Sequence, residues 1–185
     1  YSDGRHLCSL CRISAVNDDA VIQTSYQGVI SQFEKVGILH IPRDIPIKVV
    51  NQQQLNKKAG EMSHTMLQGF TIIDPMIRKA NQSVNTYEIS ILFGLPKIEF
   101  EAVLAHELLH VWLHQNKIIL SSQSIEGFCN LGSDLIYSND NTHFSSIHLQ
   151  AMSNYEDIVY GQGYVKMKVQ LEEFGWKKLI SNLSN

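Results

Sequence analysis

Cysteine is scarce in this sequence, which has three among its 185 residues. Cys8 and Cys11 form a C-x-x-C pair, and Cys129 stands alone in the second half of the chain. A disulfide scaffold needs a larger and even set of cysteines, so this count argues against one and for a reducing compartment. We therefore expect a cytoplasmic protein.

Long apolar runs and an excess of basic residues are also missing. No apolar run approaches the about 20 residues that a membrane span requires, and the formal net charge at pH 7 is −3, whereas nucleic-acid binding usually relies on a basic patch. The run V-Y-G-Q-G-Y contains two glycines, but neither G-x-G-x-x-G nor G-K-[ST] occurs. The sequence thus predicts no membrane, nucleic-acid or nucleotide partner.

The most informative stretch is Val103–Asn116, which carries the pattern H-E-x-x-H at residues 106–110. On a helix, His106 and His110 lie one turn apart, about 5–6 Å between their Cβ atoms, so both imidazoles can reach one metal ion. Glu107 lies beside them, where it can take a proton from a water that the metal activates. This arrangement is typical of zinc hydrolases.

The flanks of the motif distinguish it from a chance match. Residues 103–105 and 111–113 are uncharged and largely apolar, so the helix is apolar nearly all round and is predicted to be central and buried. Buried histidine and glutamate side chains are costly unless something pairs with them, and a metal ion would do so. The alternative is a core helix that carries the pattern by chance.

A catalytic zinc usually has three protein ligands, so a third must come from elsewhere in the chain. Glu126, in the run S-I-E-G-F-C-N, precedes a glycine and an aromatic residue at the start of a second predicted helix, as the third ligand of glutamate-type zinc peptidases does. The alternative for Glu126 is a first-turn glutamate favoured by the helix dipole. His114 lies a further turn beyond His110, and no glycine falls between His110 and Glu126 to bend the chain back, so we expect Glu126 to complete the site.

Four runs of sequence together resemble the peptidase domain of the "DA-one" family, the LIM-domain zinc peptidases that limit organ size in plants, with shorter bacterial relatives. The runs are ILFGLPKIEFEAVLAHELLHVWL, IEGFC, VYGQGY and, near the start, DGRHLCSLC. The family pattern looks like YGLP, AHExxHAWL, EEG-[IV]-C and YG-x-GF, after a LIM-like module that ends in DGR-x-x-C-x-x-C. The resemblance covers nearly the whole chain, and it implies a zinc metallopeptidase domain over residues 17–185 behind the incomplete tail of a LIM-like module at residues 1–16.

The resemblance also implies two further catalytic residues. Tyr160 matches the Tyr-Gly position of the family, and His148 matches a histidine upstream of it. Either side chain would stabilise the developing oxyanion. The alternatives are that Tyr160 is a core tyrosine and that His148 is a surface histidine. Asn130, one turn after Glu126, could orient a ligand histidine. The family has a glutamate where this sequence has Ile125. A link to ubiquitin would rest on the resemblance alone.

The C-x-x-C pair near the start is half of a possible zinc site. A structural zinc needs four ligands, and no second C-x-x-C occurs in this sequence. We therefore expect no metal at Cys8 and Cys11, and we expect Cys129 to be a small buried apolar residue.

Periodicity and turn residues predict an α+β fold. Strands followed by the H-E-x-x-H helix and then a glutamate-bearing helix are the order of a minimal zincin core of the gluzincin type, so we expect a small β-sheet packed on these two helices, with additional C-terminal helices. Tyr87–Phe93 is the candidate edge strand beside the metal; the alternative is an ordinary interior strand. The other predictions are a helix at Asp19–Val36, strands at Ile45–Val50 and Gly69–Asp74, a turn or short helix at 51–58, loops at 60–64, 138–146 and 148–157, a turn at Asp74-Pro75, and helices at Tyr164–Phe174 and Trp176–Leu183.

The sequence therefore predicts a zinc-dependent endopeptidase that cuts protein or peptide substrates. His106, His110 and Glu126 hold Zn²⁺, and Glu107 is the general base that deprotonates a zinc-activated water. The alternative is a catalytically weak, zinc-stabilised protein-binding module. The complete set of residues favours the enzyme, because a pure binding module has no use for Glu107.

Overall fold

The computed structural model describes residues 4–62, 67–79 and 82–183 of the chain, and it has the predicted α+β composition. Within these residues, seven α-helices accompany one three-stranded sheet. In chain order they are α1 (Ser9–Ile13), α2 (Asp19–Val36), β1 (Ile47–Val50), α3 (Gln52–Ala59), a 3₁₀ turn (Gly60–Met62), β2 (Gly69–Lys79), β3 (Gln82–Leu92), α4 (Lys97–Gln115), α5 (Ser122–Asp140), α6 (His143–Ser153) and α7 (Gly161–Leu183).

The sheet has the strand order β1-β3-β2, with β1 parallel and β2 antiparallel to β3. The predicted edge strand Tyr87–Phe93 falls in β3, the middle strand, so that prediction is wrong. Ile89 of β3 pairs with Ile47 on one side and with Thr71 on the other. Sequence alone could not show this, because an apolar strand looks the same whether one or both of its edges are paired. The edge strand that packs on α4 is β2.

Helix α2 has the predicted bounds, because its end signals are strong. The side chain of Asp18 accepts hydrogen bonds from the amides of Ala20 and Val21, and Gly37 ends the helix with a φ of 93°, which favours glycine. The polar stretch at 51–58 is the short helix α3, since Asn51 and Gln54 form a capping box at its start.

Three predictions about the segments that connect helices and strands are wrong. Strand β2 continues through Pro75 with a register shift between Asp74 and Ile77, where a turn was predicted; an edge strand tolerates proline at such an irregularity. The polar stretch 138–146 is not one loop, because α5 runs to Asp140 and Thr142 caps α6 through the amide of Ser145. Consequently most of the predicted loop from 148 onward is helical.

Helix α4 lies at the centre of the fold, as its apolar flanks predicted. It packs against β2 and β3 on one side and against α5 on the other, with α2 also in contact. Buried residues recur along its whole length, from Phe100 to Leu113. The H-E-x-x-H motif is therefore held in a rigid layer rather than on a surface helix.

The first described residues pack on the loop that leads into α4. Val16 is 1% exposed and donates to the carbonyl of Leu95, and the amide of Lys97 donates to the carbonyl of Ser14. Arg5 donates to the carbonyl of Phe93 at 2.9 Å. The domain boundary after residue 16 remains a prediction. No helix in the described part of the chain is both long and apolar enough to cross a membrane.

Candidate metal centre

Helix α4 brings the two histidines of the motif together at one point. Their Nε2 atoms are 3.1 Å apart, and the centroids of their rings are 4.9 Å apart. The one-turn spacing along the helix produces this convergence, as the sequence predicted.

Helix α5 adds Glu126 to the pair. Its Oε2 atom lies 3.2 Å from Nε2 of His106 and 3.6 Å from Nε2 of His110. Close packing of the two helices makes this possible, because a Cβ on Gly132 of α5 would lie 3.0 Å from the carbonyl oxygen of Ala105 on α4. Three potential ligand atoms thus meet, supplied by two helices.

The spacing of these three atoms fits a tetrahedral metal ion. An ion with bonds of about 2.0–2.1 Å spaces its ligand atoms about 3.3–3.4 Å apart. The three separations of 3.1, 3.2 and 3.6 Å bracket that value. Two imidazole nitrogens and a carboxylate oxygen are also a ligand set that zinc accepts. The donors present therefore fit zinc in both chemistry and spacing.

Asn130 sets the tautomer of His106. Its Oδ1 lies 3.0 Å from Nδ1 of His106, and its Nδ2 donates to the carbonyl of Tyr160 at 3.1 Å. Because Oδ1 can only accept, Nδ1 of His106 carries a hydrogen and the neutral ring presents a lone pair at Nε2. Asn130 therefore contacts His106, and it leaves Nε2, the nitrogen nearest Glu126, able to coordinate a metal ion.

Charge around the three atoms favours a cation. Burial opposes a charged His106, but the hydrogen bond with Glu126 and the charges of Glu107 and Glu126 outweigh burial and raise the pKa of His106. Burial likewise favours a neutral Glu126, yet the contacts with His106 and His110 hold the pKa of Glu126 well below its usual range. A carboxylate faced by two imidazole nitrogens is a place where a proton or a metal ion is stabilised.

Cys129 is a second candidate for the third ligand. The sulfur of Cys129, one ring nitrogen of His106 and one of His110 all lie within 4.8 Å of one another. This cluster could hold a metal ion. Cys129 is buried, as expected, but its proximity to the histidines was not foreseen. Burial, followed by the charges of Glu126 and Glu107, raises the pKa of the Cys129 thiol, so the thiol is neutral where Glu126 is ionised. Glu126, whose Oε2 lies 3.2 and 3.6 Å from the two Nε2 atoms, and Cys129 are thus the two candidates for the third ligand.

Glu107 lies beside the histidines and is buried, with 6% of its surface exposed. Its Oε2 accepts a hydrogen bond of 2.6 Å from the hydroxyl of Thr71 on β2. Both His106 and Glu107 line the same cleft, which has a volume of about 230 Å³. A carboxylate held at the wall of a cleft next to the candidate ligands is placed to exchange a proton with a bound water.

The two residues implied by the resemblance also line this cleft. Tyr160 precedes α7, and burial, followed by the charges of Glu126 and Glu107, raises its pKa to about 12, so its hydroxyl keeps its proton. His148, on α6, stacks on Tyr137 at 4.9 Å between ring centroids and contacts Phe144 at 4.5 Å. The remaining residues that line the cleft are Leu67, Gln68, Gly69, Val103, Asn130, Ser133, Tyr137, Met152 and Tyr155.

His114, the rejected third ligand, has a partner elsewhere. Its Nδ1 lies 3.0 Å from the hydroxyl of Tyr87 on β3. At the other end of the chain, the C-x-x-C pair forms a local turn in which the amide of Cys11 donates to the sulfur of Cys8 at 3.3 Å.

Comparison with known proteins finds a family that matches the stretch around this site. A family model described as "DA1-like: Protein DA1" matches residues 62–136, the stretch that contains His106, Glu107, His110 and Glu126. Over this stretch, which is less than half of the chain, the protein is similar to the DA1-like family. The match ends before His148 and Tyr160, so it does not cover the two further cleft residues.

The curated relatives of the chain come from plants. Protein DA1 of Arabidopsis thaliana is 24% identical over 238 residues, covering 98% of this chain and 44% of the relative. The LIM domain-containing protein HDR3 of Oryza sativa subsp. japonica is 27% identical over 181 residues, covering 83% of this chain and 36% of the relative. Protein DA1-related 1 of Arabidopsis thaliana is 27% identical over 159 residues, covering 70% of this chain and 28% of the relative. The chain thus spans less than half the length of these relatives. No solved structure was found to match it.

The glycines of the DA1-like pattern have a packing role here. A Cβ on Gly127 would overlap the backbone of Gly163, and a Cβ on Gly163 would overlap the carbonyl oxygen of Gln123. The start of α7 therefore lies directly against the start of α5, next to Glu126. This contact explains Gly163 of the V-Y-G-Q-G-Y run without a phosphate ligand, and a Cβ on Gly161, the other glycine of the run, would overlap the carbonyl oxygen of Tyr155.

Sequence reasoning missed Gly69 and Thr71 as neighbours of Glu107. A Cβ on Gly69 would lie 2.5 Å from Oε1 of Glu107, and Thr71 hydrogen-bonds the other oxygen. Nothing local signals these contacts, because β2 and α4 are distant in sequence. The only available signal was the glycine at the start of a predicted strand, which often marks a close approach.

Proposed function

We propose that this chain is a zinc-dependent endopeptidase with a minimal zincin core, in which His106, His110 and Glu126 hold Zn²⁺. The observation that carries the proposal is the meeting of their Nε2, Nε2 and Oε2 atoms at 3.1, 3.2 and 3.6 Å beside a buried glutamate. Similarity to the DA1-like family, and a relative whose name contains "LIM domain", support zinc as the metal.

Zinc, when bound, supplies a Lewis acid that makes water nucleophilic at neutral pH and polarises a carbonyl. The side chains of the protein supply the proton transfers. Glu107 accepts the proton of the attacking water as the new C–O bond forms, and then delivers that proton to the nitrogen of the leaving amine as the peptide C–N bond breaks. Asn130 keeps Nδ1 of His106 protonated throughout, so the ring does not change tautomer.

Tyr160 and His148 are proposed to stabilise the negative charge that develops on the carbonyl oxygen. Both line the cleft with Glu107, from the segment before α7 and from α6 respectively. With a pKa of about 12, Tyr160 is a hydrogen-bond donor across the physiological range. The imidazole of His148 packs against the rings of Tyr137 and Phe144, which restricts its orientation.

The substrate is proposed to be an extended stretch of protein or peptide. Strand β2 forms one edge of the sheet, and Gly69 at its start lines the cleft. An extended backbone added along such an edge gains main-chain hydrogen bonds while its side chains alternate between pockets. The Leu67, Met152 and Tyr155 side chains in the cleft then offer an apolar surface to one substrate residue.

A Glu107→Gln substitution tests the function directly. The substitution keeps the size of the side chain but removes the base, so kcat for hydrolysis of a fluorogenic peptide library should fall about 100-fold to 10 000-fold. Zinc content by elemental analysis should stay that of the wild type. Glu101→Gln, on the same helix and paired with Lys97 at 3.6 Å, is the matched control and should keep full activity.

Two results would contradict this proposal. Hydrolysis that survives Glu107→Gln would remove Glu107 from its role as base. Wild-type protein that binds zinc yet cuts nothing in the library would favour the zinc-stabilised binding module instead.

A further inference from the structure

The carboxylate of Glu107 is held by the edge strand and not by its own helix. The hydroxyl of Thr71 lies 2.6 Å from Oε2 of Glu107 and 3.2 Å from its backbone carbonyl oxygen. A hydroxyl has one proton, and a charged acceptor at shorter range takes it. Thr71 therefore donates to the carboxylate of Glu107.

Gly69 shapes the other side of the same carboxylate. It lies on the same face of β2 as Thr71, since side chains two residues apart in a strand share a face. A Cβ at this position would lie 2.5 Å from Oε1, 2.9 Å from Cγ of Glu107 and 2.7 Å from Cγ1 of Val103. Any side chain here would displace the carboxylate, so the bare backbone leaves the space that Glu107 occupies.

To act as a general base, the carboxylate of Glu107 must be ionised and must keep one orientation, and these two contacts act on it. Glu107 is 6% exposed, so water contributes little to stabilising its charge. A β-branched residue in a strand has a restricted χ1, which makes the Thr71 hydroxyl a rigid donor. Proton transfer needs the carboxylate within about 2.6–3.2 Å of the atom that it serves, so a rotation about its side-chain torsions lowers the rate without changing the metal site.

We propose that Thr71 is a positioning residue for Glu107, with Gly69 providing the space for it. The inference rests on the proposed function, because it assigns Thr71 a role in the same proton transfer. Strand β2, which is proposed to pair with the peptide backbone, thereby also holds the general base Glu107 in place. Thr71 reaches neither the metal ligands nor the substrate in this role; it acts only through Glu107.

The first test compares kcat and KM of Thr71→Val and Thr71→Ser. Valine keeps the shape of threonine and removes the donor, so kcat should fall about 10-fold to 100-fold, the loss expected for one charge-assisted hydrogen bond. KM and zinc content should stay within twofold of the wild type. Serine keeps the hydroxyl and should recover most of kcat. Thr86→Val, in β3 opposite Asp74, is the matched control and should leave kcat unchanged.

The second test needs no activity and no metal. In metal-free protein, Thr71→Val should lower Tm by about 2–4 °C, because a buried carboxylate loses its donor. The same change made in a Glu107→Ala background should lower Tm by clearly less. If Thr71→Val does not fold, Thr71→Ala compared with Thr71→Ser carries both tests.

The outcomes separate this inference from the proposed function. Hydrolysis that survives Glu107→Gln overturns the function, and the Tm comparison still decides whether Thr71 and Glu107 are coupled. If Glu107→Gln abolishes hydrolysis but Thr71→Val keeps wild-type kcat, the positioning role is wrong and the function stands. Additive Tm changes in the two backgrounds would also overturn the positioning role.

Discussion

Helix α5 carries two acidic side chains that face inward, and the protein satisfies them in different ways. Asp134 is 3% exposed and meets a cation of the chain itself, Nζ of Lys168, at 2.7 and 2.8 Å. Tyr164 and Ser138 donate to the same carboxylate. Glu126, two turns earlier, meets the Nε2 atoms of two histidines, and one of these presents a lone pair when neutral.

The difference explains why one cluster is structural and the other is a candidate metal centre. Lys168 on α7 supplies the positive charge beside Asp134, so this cluster needs no added cation. The ion pair also links α7 to α5. Around Glu126 the opposing groups are weak bases, and a positive charge must be added as protons or as a metal ion. A buried acid paired with imidazoles rather than with lysine or arginine is thus a sign of a cation-binding site.

The largest effect should come from Glu126→Ala. It removes the only anionic ligand of the proposed trio, so zinc affinity should fall by more than the about 10–100-fold that loss of an outer partner costs. Elemental analysis after gel filtration should find wild-type zinc in His114→Ala, the matched control, and little in Glu126→Ala. Zinc retained in Glu126→Ala but lost in Cys129→Ser would reassign the third ligand to Cys129.

The Asp134 cluster should respond in stability instead. Lys168→Met leaves a buried carboxylate without its cation and should lower the free energy of unfolding by about 2 kcal/mol, less than for a fully buried pair because Lys168 is partly exposed. Chemical denaturation gives the change, and Lys166→Met, exposed on the same helix, should be nearly neutral. Zinc content should be unchanged in both variants; zinc loss in Lys168→Met alone would mean that the two clusters are not independent.

The smallest effect should be a pH dependence of stability in metal-free protein. The folded pKa of His106 is raised above its ordinary 6.5, so its stabilisation is complete below pH 6.5 and is lost as pH rises through the folded value. The folded pKa of Glu126 is lowered from its ordinary 4.5, so its stabilisation is present above pH 4.5 and is lost at lower pH.

Tm of the metal-free protein should therefore be highest between pH 4.5 and 6.5 and fall toward pH 8. Thermal scans of Glu126→Gln should show a flatter profile above pH 6.5, because the partner that raises the pKa of His106 is gone. Lys168→Met should keep the wild-type slope there, since it leaves the contact between His106 and Glu126 in place. An unchanged slope in Glu126→Gln would show that the Glu126 contact does not control His106.

Several elements could be predicted because their signals are local. The bounds of α2 follow from Asp18 and Gly37, and the burial of α4 follows from its apolar flanks. The break in α7 at Gly175 was also expected, and its φ of 70° is one that glycine favours. One wrong prediction is the loop at 138–146, since a helix start with a threonine cap has the same polar composition as a turn.

The sequence by itself indicated the resemblance to the DA1-like family, the α+β class and the residues proposed to hold a metal, because helix periodicity places His106 and His110 together whatever surrounds them. Only the tertiary structure decided which strand forms the edge at the cleft, how close Cys129 lies to the histidines, and that Thr71 and Gly69 contact Glu107. Those contacts join elements that are far apart in the chain. They depend on how β2, α5 and α7 pack around α4, which no local pattern encodes.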